Sequence, residues 1–507
     1  MLLLTRYNII LRRNPTTKLS WRLGVFLAES EGKKAVVTNE LKPVDLKSAD
    51  SVAKYWLYSA LLWFPIFTTF GMIMAIKFFV PTFLVDSAFD TFGRIRPAHV
   101  NGLLFGFLSS GLIGAMYYVA PRLSHVSLYK PNLGKLSAVL WNVGVLAGVL
   151  LIMGGDTQAR EYAEFPWIID VVIMIILIII GITILGTIFK RKERKLYVSL
   201  WFFAAIFLWF PIVYFIGNVM WRPPSGALFG LTDGIVNWFY GHNVLGLWFT
   251  PFGLALWYYF IPKLTKRALY SVTLSLISFF ALAFFYTGVG GHHLLQSSIP
   301  EWLKTIAVAT SGLMMISVLT FATNIGMTIR GTWHSIFSSV PLRFIVFGFI
   351  NYILVSIQGS FQALRDMNLY LHYSQWPVMH SHLALYASFG ITIMGLMYWL
   401  VPRISGKRLW SKKLMDVSWW VTFLGFIIFM AGMMLAGLVA NASWFTHQTI
   451  AQALPTLTPY FIVRAIGGGI VVVSAFLFAI DIIMTIFSKP LAHPEALGKI
   501  GGGIKHE

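Results

Sequence analysis

The chain has twelve histidines and no cysteine, so a transition metal held by this chain must be bound chiefly through imidazole. The lack of cysteine excludes a disulfide framework, an iron–sulfur cluster, a thiolate zinc site and covalent haem attachment through C-x-x-C-H. Six histidines, His99, His242, His292, His293, His380 and His382, lie in or at the ends of long apolar stretches. A histidine inside a membrane helix is costly and marks a functional site or a polar pathway. One such residue more often serves as a structural hydrogen-bonder. Six of them, all toward the same end of their spans, point to a common purpose.

Spacing narrows the chemistry. In Met379-His380-Ser381-His382 the two imidazoles are separated by about 200° around an α-helix. They point to opposite faces, so they suit two different metals better than one. The adjacent pair His292-His293 follows the run Gly288-Val289-Gly290-Gly291 and can converge on a single ion. His242, in Tyr240-Gly241-His242-Asn243, offers that ion a third nitrogen, and His99, in Arg94-Ile95-Arg96-Pro97-Ala98-His99, supplies the sixth imidazole. Imidazole-only coordination suits copper, haem iron or zinc.

The elements that must position these groups are membrane helices. Of the 507 residues, 57% are hydrophobic and 11% charged, against roughly 25% charged in an ordinary soluble domain. Apolar runs long enough to span the hydrocarbon occur near 54–81, 97–120, 137–154, 167–189, 197–218 and 233–262, and again near 271–291, 304–328, 341–360, 378–401, 417–440 and 459–487. These runs predict an all-α integral membrane protein with about twelve spans in one bundle. The expected division is a basic N-terminal segment at 1–53, a catalytic domain at 54–487 and a tail at 488–507. No short-period repeat is visible, and no low-complexity tract beyond Gly501 to Gly503.

The net charge of +20 is sorted by side. Lys190, Arg191, Lys192, Arg194 and Lys195 lie in one even-numbered connection, and Arg403, Lys407, Arg408, Lys412 and Lys413 in another. The opposite side has scattered cations such as Arg94, Arg96, Arg160, Arg222 and Arg365. The positive-inside rule then places both termini in the cytoplasm, and no nucleic acid is needed to explain the charge. Arg6, Arg12, Arg13, Lys18 and Arg22 among leucines fit an amphipathic helix on an anionic leaflet or a basic tail. The segment has no apolar core long enough for a cleavable signal peptide.

The order of these histidines, one on the second span, one on the sixth, a His-His pair after the seventh and a His-x-His on the tenth, resembles subunit I of the haem–copper oxidases. Within that superfamily it looks most like the catalytic subunit of cbb3-type cytochrome c oxidase. Supporting strings are Phe92-Gly93-Arg94-Ile95-Arg96-Pro97, Arg160-Glu161-Tyr162-Ala163-Glu164, Trp238-Phe239-Tyr240-Gly241-His242-Asn243 and His372-Tyr373-Ser374-Gln375-Trp376. The likeness runs from about residue 54 to 440.

Carried over residue by residue, the resemblance implies that His99 and His382 are axial ligands of a low-spin haem b. His380 would be the proximal ligand of a high-spin haem b3, with His242, His292 and His293 binding a copper that faces it. It also implies that Tyr286 is linked covalently to His242 and supplies a proton and an electron when the O–O bond breaks. Glu161 stands where cbb3 subunits provide a calcium ligand, one of the six to eight oxygens that ion takes. Arg94 and Arg96 can pair with haem propionates through the guanidinium fork. Ser271, Ser275 and Ser278 share a sector of about 80° with Tyr286 and read as a proton path, with Tyr258 and Tyr259 as its entrance.

The activity implied is that of a proton-translocating terminal respiratory oxidase in a bacterial or archaeal cytoplasmic membrane, reducing O2 to water. Its electrons would come from membrane-anchored c-type cytochrome subunits. Nitric oxide reductase is the sister alternative, but it places a glutamate four residues after its helix-six histidine, where this chain has Gly246. A non-redox transporter with histidines on a proton path is the reading from another class. One departure stands out: Gln358, in Val355-Ser356-Ile357-Gln358-Gly359-Ser360, occupies a position where both oxidase and reductase usually carry glutamate. An amide cannot deliver a proton, so proton delivery or the reaction itself is expected to differ here.

Overall fold

The computed structural model describes residues 44–158, 160–221 and 228–490. The expected N-terminal amphipathic helix, Arg222 and most of the tail lie outside the described residues. Among those described, twelve helices are long and apolar enough to cross a membrane. They are α1 (Lys47–Lys77), α2 (Phe92–Ser124), α3 (Pro131–Gly154), α4 (Trp167–Phe189), α5 (Val198–Val219) and α6 (Gly230–Thr265). After them come α7 (Val272–Leu294), α8 (Glu301–Ile329), α9 (Val340–Gln362), α10 (Gln375–Ser405), α11 (Lys412–Phe445) and α12 (Ile450–Ile486).

Several helices run past the expected apolar limits. Helix α12 begins nine residues before the expected 459, because Thr449 and Gln452 form a reciprocal capping box and the helix continues through Pro455 and Pro459. Hydropathy alone reports where the bilayer core begins. Capping reports where the helix does.

Three helices differ from the rest. The most apolar stretches of α2, α6 and α10 are 94%, 94% and 83% buried, while the other nine bury between 33% and 56%. These three carry His99, His242 and the His380/His382 pair. Each widens into a π-helical segment within three residues of its last such histidine, at Gly102–Ser109, Leu245–Phe249 and Leu383–Gly390. Such segments open the backbone ladder and are frequent at functional sites.

The three also share an ending. Tyr117-Tyr118-Val119-Ala120-Pro121-Arg122, Tyr258-Tyr259-Phe260-Ile261-Pro262-Lys263 and Tyr398-Trp399-Leu400-Val401-Pro402-Arg403 are superimposable patterns about 140 residues apart. In each, the cation lies over the ring one turn before it: Arg122 over Tyr118 at 3.5 Å, Lys263 over Tyr259 at 5.1 Å and Arg403 over Trp399 at 3.9 Å. Four residues after each proline the chain turns left-handed, at His125, Lys266 and Gly406, and that residue's N–H bonds back to the proline carbonyl. Counting back from these prolines, His99 and His380 fall 22 residues away and His242 and His382 fall 20. The three histidine-bearing helices therefore share one pattern that recurs every fourth span, at a distance too long to show as a short-period repeat.

Candidate metal centre

The 3₁₀ stretch at the end of α7, Tyr286–Leu294, brings both adjacent histidines toward α6. His242 Nδ1 lies 2.9 Å from His293 Nε2, and one nitrogen from each of His242, His292 and His293 falls within 4.8 Å of the others. Two further contacts orient them. His292 Nδ1 meets the Ser311 hydroxyl at 2.8 Å, and the His293 ring stacks on Trp238 with centroids 3.7 Å apart.

On α10 the two imidazoles diverge, as their spacing requires. His382 turns to His99, with ring centroids 6.3 Å apart. That separation leaves room for one metal atom about 2 Å from a nitrogen of each ring. His380 lines a second cavity, of about 120 Å³, together with His242, His292, His293 and Tyr286. A larger cavity of about 470 Å³ has His99 and His382 among its walls and also reaches His380. It falls within the range of cofactor pockets.

Tyr286 stacks on His242, with centroids 5.2 Å apart and an interplanar angle of 22°. The contact depends on Gly246: a β-carbon there would lie 1.7 Å from the Tyr286 ring. No L side chain fits at 246 while Tyr286 keeps its position.

The charged residues divide. Arg96 lines the large cavity and pairs with Glu161 at 2.6 Å and Glu164 at 3.4 Å. Arg94 does not line it. Its guanidinium donates to the Met153 carbonyl at 3.1 Å, against the turn at Gly155 that ends α3. Glu164, which no sequence pattern marks out for a role, also takes the Asn101 amide at 3.0 Å, and burial pushes its carboxyl up to about 7 against the pull of Arg96. Burial likewise lowers His372, which borders the same cavity.

Of the proposed proton path, Ser278 meets Ser317 at 3.2 Å. Tyr258 turns its hydroxyl toward Ser278 and Asn324 without making a well-formed hydrogen bond. Ser271 caps α7, and its backbone N–H and C=O pair with the Asn324 amide at 2.9 and 2.7 Å, while the Ser275 hydroxyl turns back to the Val272 carbonyl. Tyr259 stands apart, under Lys263 and beside Tyr118. Ser317 and Asn324, both on α8, are invisible to a one-helix reading.

Family comparison decides the class. Residues 51–470 match the model of the family described as cytochrome c and quinol oxidase polypeptide I. The chain belongs to the haem–copper oxidase subunit I family. It is 29% identical to the cbb3-type cytochrome c oxidase subunit CcoN1 of Stutzerimonas stutzeri over 89% of this chain and 97% of that protein. It is 30% identical to a cytochrome c oxidase subunit 1 homolog of Agrobacterium tumefaciens (strain T37), over 86% of this chain and 84% of the relative. A nitric oxide reductase polypeptide of Stutzerimonas stutzeri is 27% identical over 71% of this chain and 76% of its own length. A haem–copper terminal oxidase dimer shares the fold at TM-score 0.70 and 16% identity, covering 87% of this chain and 85% of that one.

The family implies haem and copper, and the residues present fit both. The three-histidine cluster is a copper-type donor set. On α12, Arg464 is buried in the large cavity's wall with Nε unpaired, Nη1 on Gln375 Oε1 at 2.9 Å, and no ion pair to a protein carboxylate among the described residues. A buried guanidinium without a counter-charge is expensive, and an anionic arm of a bound macrocycle would supply one. Sequence pattern alone assigns no role to Arg464 and no partner to Gln358.

Proposed function

We propose that this member of the oxidase subunit I family is the catalytic subunit of a cbb3-type oxidase that reduces O2 to water. His99 and His382 would hold a low-spin haem b, His380 a high-spin haem b3, and His242, His292 and His293 a copper. The paired iron and copper would supply the site of dioxygen binding and most of the electrons for its reduction. Arg96 and Arg464 would meet the haem carboxylates, and Glu161, which already pairs with Arg96, would offer an oxygen to calcium.

The observation that carries the reading is the exclusion between Gly246 and Tyr286. A copper site needs only the three imidazoles, and a bare position 246 lets the phenol stack on His242. A sister site with a carboxylate at 246 would have to displace that ring. The phenol at 286 would give a proton and an electron, and its nearness to His242 supports a covalent link between the two.

Ser271, Ser275, Ser278 and Tyr258, extended by Ser317 and Asn324, would conduct protons from the cytoplasmic side. Electrons would arrive from membrane-anchored c-type cytochrome subunits, because this chain has no cysteine with which to attach haem. Both termini would lie in the cytoplasm by the charge asymmetry of the loops.

Pyridine haemochrome analysis with metal quantification on purified protein tests all of this together. Two haems b and one copper per chain are expected. Two haems with one non-haem iron and no copper would establish the nitric oxide reductase alternative, and no reducible haem would remove both.

A further inference from the structure

The histidines proposed to bind iron are each oriented through Nδ1, and their partners follow a pattern. His99 Nδ1 lies 2.6 Å from the Phe67 carbonyl on α1, and His382 Nδ1 lies 2.8 Å from the Val378 carbonyl of its own helix. Among the described residues His380 has no backbone partner. Its Nδ1 lies 2.7 Å from Gln358 Oε1, on α9. The ring is held on a second side by Gly359, where an added β-carbon would lie 3.2 Å from His380 Cε1.

We infer that Gln358 is the positioning residue of the high-spin site, acting as a side-chain substitute for the backbone carbonyls that serve the other two imidazoles. The inference rests on His380 being an iron ligand. A carbonyl oxygen accepts only, so Nδ1 must carry the proton and Nε2 is left with its lone pair free to bind metal. The amide's own N–H groups face away, toward Met379 Sδ at 3.8 Å.

Charge makes the choice of amide consequential. A carboxylate at this position would pull the Nδ1 proton harder and give the ring partial imidazolate character, raising its basicity as a ligand. A neutral amide asks of His380 what the Phe67 and Val378 carbonyls ask of His99 and His382. The departure at 358 therefore bears on the electron donation of one ligand, and the amide in this place holds no proton to deliver.

The test compares Gln358→Glu and Gln358→Met in the purified oxidase by resonance Raman spectroscopy of the reduced high-spin haem and by redox titration of both haems. The iron–histidine stretch is expected to rise in Gln358→Glu and fall in Gln358→Met. The high-spin midpoint should move down in the first and up in the second, by about tenfold in the redox equilibrium, ~59 mV for one electron. The low-spin haem, whose ligands bond to backbone, should not move. If Gln358→Met fails to retain the high-spin haem, the isosteric Gln358→Glu decides alone. Wild-type stretch and midpoint in a variant that keeps the haem would overturn the inference and leave the oxidase reading intact. Absence of a high-spin haem from the wild-type protein would overturn that reading instead.

Discussion

The two faces of α10 hold their histidines by different means. On one face His382 and its partner His99 are oriented by peptide carbonyls, which substitution cannot remove and which are always neutral. On the other, His380 relies on Gln358, His292 on Ser311 and His293 on the Trp238 ring, all of them side chains contributed by other helices. A site that only relays electrons is served by a fixed setting. Under the proposed function the second site would bind and reduce a ligand, and such a site benefits from settings that side-chain identity can adjust.

Alanine at the ligands should break the comparison most severely. His99→Ala or His382→Ala is expected to remove the low-spin haem and leave the high-spin one, and His380→Ala to do the reverse, read from optical spectra of the reduced and CO-bound forms. Loss of the same haem from His380→Ala and His382→Ala would mean that α10 does not separate two cofactors.

Next comes the phenol. Tyr286→Phe keeps the ring and its stacking on His242, so both haems should bind with near-normal spectra while oxygen consumption falls at least about 100-fold. Gly246→Ala should approach the same phenotype from the opposite helix, because its β-carbon would force the Tyr286 ring out of place. Oxygen reduction at the wild-type rate in either variant would reduce Tyr286 to a packing residue.

Ser311→Ala sharpens the contrast more gently. Removing the partner of His292 Nδ1 should weaken copper retention by about tenfold against a chelator while both haem spectra stay unchanged.

The smallest effect concerns Glu164. Its carboxyl, near 4.5 in an unfolded chain, is pushed up to about 7 by burial. Between those values the folded chain keeps a proton the unfolded chain has lost, so stability falls as pH rises through that window. Glu164→Gln should flatten this part of the thermal unfolding profile. A profile with the same slope in both proteins would place the titrating group elsewhere.

Much of this architecture was legible from local pattern. Twelve apolar runs and the position of six histidines in or at the ends of them require no tertiary information, because hydropathy and helix period are properties of neighbouring residues. Arg94 shows the limit. It lies two residues from Arg96 in an Arg-x-Arg string, yet only Arg96 reaches the cavity, since the turn that ends α3 claims the other. Tyr259 and Tyr258 divide in the same way, adjacent in sequence but turned to different neighbours.

The sequence by itself determined that the chain crosses a membrane, that imidazole is its candidate metal-binding group, and that His380 and His382 face opposite ways. Each of these follows from composition or from the fixed 100° step of a helix. Tertiary structure decided what each imidazole's second nitrogen touches, that Gly246 and Tyr286 exclude any third group between them, and that Arg464 stands without a carboxylate counter-charge among the described residues. Apart from the His382–Val378 bond within α10, those contacts join residues on different helices, and their distances depend on how the helices widen and dock, which no local pattern encodes.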